Sequence, residues 1–261
     1  MMQQNNHTLS KTNKTKLRSY QSDIDNEIDF SDKVEKAKSK WKGKNLQTFS
    51  IIKNTLKRIN PCGEYCAYCE TSLADEIEHI YPKTLFSEKT FLWDNYLWVC
   101  GICNRTHKSN KFAIYNPHFQ DITPFNTRSN PIQPVNDHHV FIHQRLENPL
   151  DFITLDFNTG LLCPSFPSNT KEYDRTDYTL NTVLNLNRDV LCNARKNAYR
   201  FYKGCLQDYL SATTKSQKRQ IEKEIEKADH KTVWEEMKIQ HIWVNELNDL
   251  FSQSPHLLTF P

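Results

Sequence analysis

Two pairs of cysteines constrain this chain more than any other feature. Cys66 and Cys69 form one C-x2-C pair, and Cys100 and Cys103 form a second pair after 30 intervening residues. Two such turns present four thiolates that close a tetrahedron around Zn²⁺ and leave no coordination position for water. The spacing therefore predicts a structural zinc site. A unit this small needs such a site because it buries little apolar surface alone.

Composition excludes several other classes of protein. Only 37% of the 261 residues are hydrophobic, and no run approaches the ~20 apolar residues of a membrane span. The polar N-terminus carries no apolar signal region, so we expect a cytoplasmic chain with no membrane partner. The five glycines are widely separated, which excludes the glycine-rich loops that bind dinucleotides or nucleoside triphosphates. Eight cysteines without a secretion signal argue against a disulfide framework.

Charge is distributed unevenly along the chain. The whole sequence carries 34 basic and 31 acidic residues, but residues 1–60 hold 13 basic and 6 acidic side chains. The remaining residues are therefore slightly acidic. A basic N-terminal part fits a polyanionic partner, and it fits a solvated helix face equally well. Charge alone leaves both interpretations open.

Hydrophobic periodicity predicts an α+β fold that is predominantly helical. Helical spacing of apolar residues begins near residue 31, a second helix is predicted over 46–59, and a β-hairpin over 152–162. Periodic apolar residues return after 178, with a break near 185–187. The pattern divides the chain into a flexible polar segment (1–30), a basic helical segment (31–60), a cysteine-bearing core (61–118), an irregular segment with the hairpin (119–170) and a helical C-terminal region (171–261).

The residues between and after the cysteine pairs carry a second chemistry. Glu78 and His79 lie between the apolar residues Ile77 and Ile80, and Asn104 directly follows Cys103. Hydrolysis of a phosphodiester needs an activated water, positive charge on the phosphate and stabilisation of the leaving oxygen. His79 is the best candidate base, since imidazole titrates near neutral pH. Glu78 and Asn104 offer hard oxygen ligands, an incomplete shell that suits Mg²⁺ or Mn²⁺.

These motifs resemble a known family. The segments CAYCE, EIEHIYPK, WDNYL and CGICNRTHK, within residues 62–117, are similar to HNH endonucleases with a ββα-metal fold. They resemble more closely the HNH effectors of Septu-type anti-phage systems. The resemblance implies a ββα-metal core held by the four-cysteine zinc site, between N- and C-terminal helices. It assigns catalysis to His79, Asn95 and Asn104, with Asn95 keeping the loop in shape, and assigns the catalytic Mg²⁺ or Mn²⁺ to Glu78 and Asn104.

The same resemblance implies a biological role. The expected activity is metal-dependent endonuclease cleavage, with DNA favoured as the substrate and RNA, for example tRNA, as the alternative. The protein would be a toxic defence effector that works with an ATPase subunit, in some systems beside a retron reverse transcriptase. We place the ATPase contact in the helical C-terminal region. The stretch TLNTVLNLNRDVLCNAR at 179–195 is a weaker echo of the region that follows the HNH core.

A non-catalytic zinc module that binds nucleic acid or protein is the competing hypothesis. It explains the four cysteines and the basic N-terminal segment, but it leaves the placement of Glu78, His79 and Asn104 unexplained. A redox role for the C-x2-C pairs is weaker, because the sequence around them lacks a thioredoxin-like βαβ frame. The substitution His79→Ala separates nuclease from module.

Several further side chains keep alternative interpretations. Glu76 competes with Glu78 as a ligand, and His107 competes with Asn104. Lys108 and Lys111 contact phosphates or solvate their helix, and Cys62 is expected outside the zinc shell. A group of three histidines is assigned to a loop and strand surface: His138, His139 and His143.

Overall fold

A computed structural model describes residues 1–5, 8–116, 121–125, 134 and 139–260. The fold is mixed α and β and mostly helical, as predicted. The longer helices are α1 (Lys11–Asp25), α2 (Phe30–Lys42), α3 (Leu46–Ile59), α4 (Lys171–Asp177), α5 (Asp189–Ser211), α6 (Lys215–Lys227), α7 (Lys231–Gln240) and α8 (Asn245–Ser252). The strands form three antiparallel pairs: β1 (Glu76–His79) with β2 (Tyr96–Val99), β3 (Ala113–Asn116) with β4 (Asp121–Pro124), and β5 (Ile153–Leu155) with β6 (Leu162–Pro164).

Helices α1 to α3 form an N-terminal unit. The predicted helix over 46–59 is present with those bounds, and the Asn45 side chain caps it by accepting a hydrogen bond from the Thr48 amide at 2.8 Å. Helix α1 lies where the sequence predicted a flexible polar segment. Its few buried residues include Leu17, Gln21 and Ile24, spaced four and three apart on one face. These buried residues are too few to give a clear helical pattern in the sequence. They are nevertheless enough to pack α1 on its neighbours.

The hairpin of β1 and β2 is buried on both faces. Ile77 pairs with Trp98 and His79 with Tyr96. These residues face α1 to α3, and Ile77, Tyr96 and Trp98 belong to the N-terminal hydrophobic cluster. The alternate residues of β1, Glu76 and Glu78, face the other way, toward a short π-helix over Ile102–Lys108. Strands this short need packing on both sides for stability.

The C-terminal part supplies the larger hydrophobic core. The predicted β-hairpin is present as β5 and β6, and Gly160 in its turn has a φ of +75°. Buried Arg195 of α5 donates to the Gly160 carbonyl at 2.6 Å and so ties the helix to this turn. The predicted helix break is also present, with Asn185 at a φ of +47°. None of the helices in the described ranges is both long and apolar enough to cross a membrane.

Candidate metal and catalytic centre

The four knuckle cysteines lie together. The sulfurs of Cys66, Cys69, Cys100 and Cys103 are all within 4.8 Å of one another, and all four residues are buried. Backbone amides support two of them, because Tyr68 donates to the Cys66 sulfur and Cys103 to the Cys100 sulfur, both at 3.4 Å. A tetrahedral zinc with Zn–S bonds of about 2.3 Å separates its sulfurs by about 3.8 Å. The cluster therefore fits a structural Zn²⁺.

The four thiols shift one another's pKa in opposite directions. Hydrogen bonding from Cys103 lowers the pKa of Cys100 to about 7 and hydrogen bonding from Cys100 lowers that of Cys69, whereas burial raises the pKa of Cys66 and hydrogen bonding from Cys100 raises that of Cys103. Deprotonated thiols are the form that binds zinc. Cys62 stays outside this group of sulfurs, as expected from the sequence, and burial raises its pKa well above the usual value.

His79 is held at the end of β1 by a backbone oxygen. Its Nε2 lies 3.0 Å from the Thr90 carbonyl oxygen. A carbonyl only accepts hydrogen bonds, so Nε2 carries the proton and Nδ1 of the neutral ring is left as the basic nitrogen. Within the described residues, Nδ1 forms no hydrogen bond. The Trp41 ring packs against the imidazole with a centroid distance of 4.3 Å.

The surroundings keep the His79 ring neutral. Burial lowers the pKa of His79 well below 6.5, and the positive charge of Lys83 lowers it further. The ring is 7% exposed and lines a cavity of about 260 Å³. A neutral imidazole with one orientation at pH 7 has the protonation state that a general base requires.

Asn95 lies behind this cavity and closes the loop between β1 and β2. Its side-chain oxygen accepts from the Tyr81 amide at 2.7 Å, and its side-chain nitrogen donates to the Tyr81 and Lys89 carbonyls at 3.1 and 2.8 Å. These three bonds connect the two ends of the loop that carries Thr90. Asn95 is therefore placed to shape the loop rather than to contact a substrate in the cavity.

Glu78 and Asn104 line the same cavity as His79. Glu78 is 3% exposed and forms an ion pair with Lys108, whose Nζ is 2.9 Å from Oε1. Lys108 also donates to the His79 carbonyl at 3.0 Å and is 1% exposed. Neither sequence interpretation of Lys108 was right, because the side chain is buried against the hairpin. The Asn104 amide nitrogen donates to Glu76 at 2.8 Å, which leaves its Oδ1 as an acceptor.

The fit of a divalent cation rests on the oxygen donors of Glu78 and Asn104. Glu78 Oε1 is buried 2.9 Å from the Lys108 ammonium, so a cation bound at this oxygen would compete with the lysine. Burial raises the pKa of Glu78 despite this lysine. A buried carboxylate oxygen beside an amide oxygen suits Mg²⁺ or Mn²⁺, which keep several waters. The four cysteines are the one group of three or more Cys, His or carboxylate ligands in metal-binding geometry among the described residues.

Sequence reasoning missed several residues of the centre. Trp41 and Lys83 line the cavity, and Lys83 forms no ion pair or hydrogen bond within the described part of the chain. Burial lowers the pKa of Lys83. The Thr90 contact is made by the backbone, so its side-chain identity carries no signal. Trp41 lies on the apolar side of α2, where the spacing indicated only packing.

The downstream histidines were assigned wrongly in part. His143 is 2% exposed and packs on Tyr81, so it is not a surface residue. His139 hydrogen-bonds to the Tyr81 hydroxyl through Nδ1 at 2.8 Å and lies 3.4 Å from Glu147. His138 lies outside the described residues. Competitor Glu76 is held by Asn104 and by Arg105, whose Nε is 2.9 Å away.

Comparison with known proteins links this chain to one defence protein. It is 33% identical over 82 residues to Septu protein PtuB of Bacillus mycoides (strain KBAB4). The match covers 25% of this chain and 27% of that protein. No family model matches the chain, and no solved structure matches it. The similarity agrees with the Septu-type resemblance of the motifs.

Proposed function

We propose that this protein is a metal-dependent HNH endonuclease that hydrolyses phosphodiester bonds in nucleic acid. The observation that carries the proposal is the cavity, which is lined by a neutral His79 whose Nε2–H contacts the Thr90 carbonyl, by Glu78 and by Asn104. The antiparallel hairpin followed by the short π-helix supports a ββα-metal core. Short π-helical turns are frequent at functional sites.

Each residue of the proposed centre has a separate role in hydrolysis. His79 Nδ1 accepts a proton from a water whose oxygen attacks the phosphorus, and the bond from phosphorus to the leaving oxygen breaks. Glu78 and Asn104 would hold Mg²⁺ or Mn²⁺, which would supply positive charge to the phosphate and the leaving oxygen. Lys83 adds positive charge at the cavity. Asn95 holds the loop, and the zinc cluster would tie the turn of Cys66 and Cys69, which precedes β1, to the π-helix that contains Cys103.

DNA is the favoured substrate, and RNA, for example tRNA, is the alternative. A cavity of about 260 Å³ admits a phosphate and its immediate neighbours but no stacked bases. Its lining includes the basic side chains of Lys83 and Arg105, which suit contacts to a phosphate backbone. The proposed centre therefore acts on the backbone that DNA and RNA share.

The biological role is that of a toxic effector in Septu-type anti-phage defence, working with an ATPase and, in some systems, with a retron reverse transcriptase. The similarity to Septu protein PtuB supports this role. The C-terminal helices cannot simply be deleted to test the ATPase contact, since Trp234 and Phe251 are buried in the main core. Ile242 and Trp243, which are 58% and 71% exposed, are the surface to test. Trp243→Ala should weaken co-purification with the ATPase while the fold persists.

Cleavage assays test the nuclease directly. Purified protein with retained zinc is incubated with supercoiled plasmid or total tRNA, in Mg²⁺ or Mn²⁺, with and without the ATPase. His79→Ala should lower the rate at least ~100-fold. His241→Ala is the matched control, because that ring contacts the carbonyl of Lys238 and packs on Phe251, and it does not line the cavity in the described part of the chain. If the wild type and His79→Ala bind nucleic acid equally and neither cleaves with the ATPase present, the protein is a non-catalytic zinc module.

A further inference from the structure

We propose that the N-terminal helices complete the catalytic centre, with Gln21 of α1 and Trp41 of α2 acting as positioning residues for His79. This inference rests on the proposed function for its catalytic meaning. Both residues lie outside the segment that carries the HNH-like motifs, and Gln21 lies in the stretch that the sequence predicted to be flexible. The centre would then be unable to work as an isolated hairpin and π-helix.

Strand alternation directs His79 toward these helices. Side chains along β1 alternate between faces, so His79 shares the face of Ile77 and lies across from Tyr96. On that side the imidazole packs edge-on against Trp41, with ring planes at 69°, and against Tyr96 at a centroid distance of 5.3 Å. Trp41 itself packs on Phe49 and Phe91. The two aromatic rings thus confine the imidazole from two directions.

Gln21 fixes the carbonyl that orients the ring. Its amide nitrogen donates to the Ser87 carbonyl at 3.2 Å, and its amide oxygen accepts from the Phe91 amide at 2.9 Å. These contacts hold the backbone on both sides of Thr90, whose carbonyl oxygen is the partner of His79 Nε2. Gln21 is 7% exposed, and its amide nitrogen also donates to Asp25 at 2.9 Å, which fixes the amide orientation.

Tyr96 adds the last constraint on the same oxygen. Its hydroxyl donates to the Thr90 carbonyl at 2.8 Å, so this oxygen accepts from both Tyr96 and His79. A carbonyl held in this way selects the Nε2–H tautomer, and the opposite nitrogen remains the base. Without Gln21 the backbone at 87–91 loses two anchors, so the Thr90 carbonyl that Tyr96 still contacts is held less firmly as the partner of Nε2. A catalytic group misplaced by about 1 Å can lower the rate on the order of 100-fold.

The first test observes the ring without any substrate. In ¹⁵N-histidine-labelled full-length protein, the His79 signal is assigned by its loss in His79→Ala. The wild type should show the Nε2–H tautomer with a slowly exchanging ring proton. Gln21→Met keeps the side-chain size but removes the hydrogen bonds, and the ring proton should then exchange at least ~10-fold faster or the tautomers should mix. Trp41→Leu should broaden or shift the same signal.

A matched control separates positioning from lost stability. Gln144→Met is the same substitution at a fully buried glutamine whose amide donates to the Ala67 carbonyl at 2.9 Å and, within the described residues, forms no hydrogen bond to residues 87–91. It should lower Tm by an amount similar to Gln21→Met, yet leave the His79 signal unchanged. An unchanged His79 signal in both Gln21→Met and Trp41→Leu overturns the proposal.

Kinetics give the second readout. Gln21→Met should lower kcat ~10- to 100-fold with little change in KM, because the substrate contacts remain. The pair Gln21→Glu with Asp25→Asn restores the acceptor for Phe91 and a side-chain bond at residue 25, but not the donor to the Ser87 carbonyl, so it should recover only part of kcat. If the wild type does not cleave, the proposed function fails, whereas the ring signal still decides whether Gln21 and Trp41 position His79. A fall in kcat without any change in the ring signal counts against the inference.

Discussion

The buried ion pair of Glu78 and Lys108 gives the sharpest stability prediction. The two charges are 2.9 Å apart, with side chains 3% and 1% exposed. At an effective dielectric constant of about 20, their attraction is about 6 kcal/mol, which offsets part of the loss of hydration, since burial still raises the pKa of Glu78. Lys108→Met keeps the aliphatic stem and removes the ammonium. It leaves a buried carboxylate without its counter-charge and the His79 carbonyl without a donor, so the free energy of unfolding should fall by about 3–5 kcal/mol.

Urea unfolding at pH 7.5, without added divalent cation, measures this loss. The double variant with Glu78→Gln and Lys108→Met removes both charges and should lose clearly less than the sum of the two single losses. The loss from Lys108→Met should also shrink toward pH 5. Without the lysine, the folded pKa of Glu78 lies further above its unfolded value, so the native carboxyl takes up a proton as the pH falls. Additive single losses, or a loss below ~1 kcal/mol for Lys108→Met, would refute a buried ion pair at this position.

Three further changes test other parts of the molecule. Gly160→Ala should lower the free energy of unfolding by at least about 2 kcal/mol, because φ is +75° and the added Cβ would lie 2.2 Å from the Cys192 carbonyl oxygen. The control is Gly204→Ala on α5, where the added Cβ meets no atom within 4 Å. It should raise the free energy of unfolding by about 0.5–1 kcal/mol. Cys103→Ser should release zinc, measured by a metallochromic dye, and destabilise the hairpin. Burial lowers the pKa of His143 to about 4. The free energy of unfolding should therefore be highest above pH 6.5 and should fall by up to ~1.4 kcal/mol per pH unit as the pH decreases toward 4. His143→Gln should remove this slope.

Each of these changes has an outcome that contradicts it. Equal effects of the two glycine substitutions would mean that the turn at Gly160 does not adopt a positive φ. Full zinc retention in Cys103→Ser would remove that sulfur from the zinc shell. A pH slope that is the same with and without His143 would mean that this ring titrates normally and is hydrated.

The sequence predicted the features that depend on spacing along the chain. The bounds of α3, the hairpin with Gly160 and the break at Asn185 follow local rules of capping, alternation and positive φ. The four cysteines were predicted as one site for the same reason, since two C-x2-C turns leave few other arrangements. Roles for His79, Asn95 and Asn104 remain predictions, although the structure brings His79 and Asn104 to one cavity.

The sequence did not predict what depends on contacts between distant segments. Lys108 was assigned to solvent or phosphate because a lysine on a helix is usually exposed. Its burial is explained only by the fold, in which β1 places the carboxylate of Glu78 next to the Lys108 ammonium. The role of Gln21 was not predicted for another reason. A glutamine in a polar stretch gives no sequence signal of burial, and the partner of its amide nitrogen is a backbone carbonyl 66 residues away.

The two faces of the hairpin of β1 and β2 contact different parts of the chain, and this difference affects function. Glu76 and Glu78 face the π-helix that contains Cys103, so the ligand face is encoded within the motif. His79 faces helices that precede the motif, so the orientation of the proposed base depends on residues that no motif includes. A four-residue strand cannot supply both faces from its own sequence. Transplanting the motif into another protein should therefore preserve zinc binding, which is local, and lose control of the His79 ring, which requires α1 and α2.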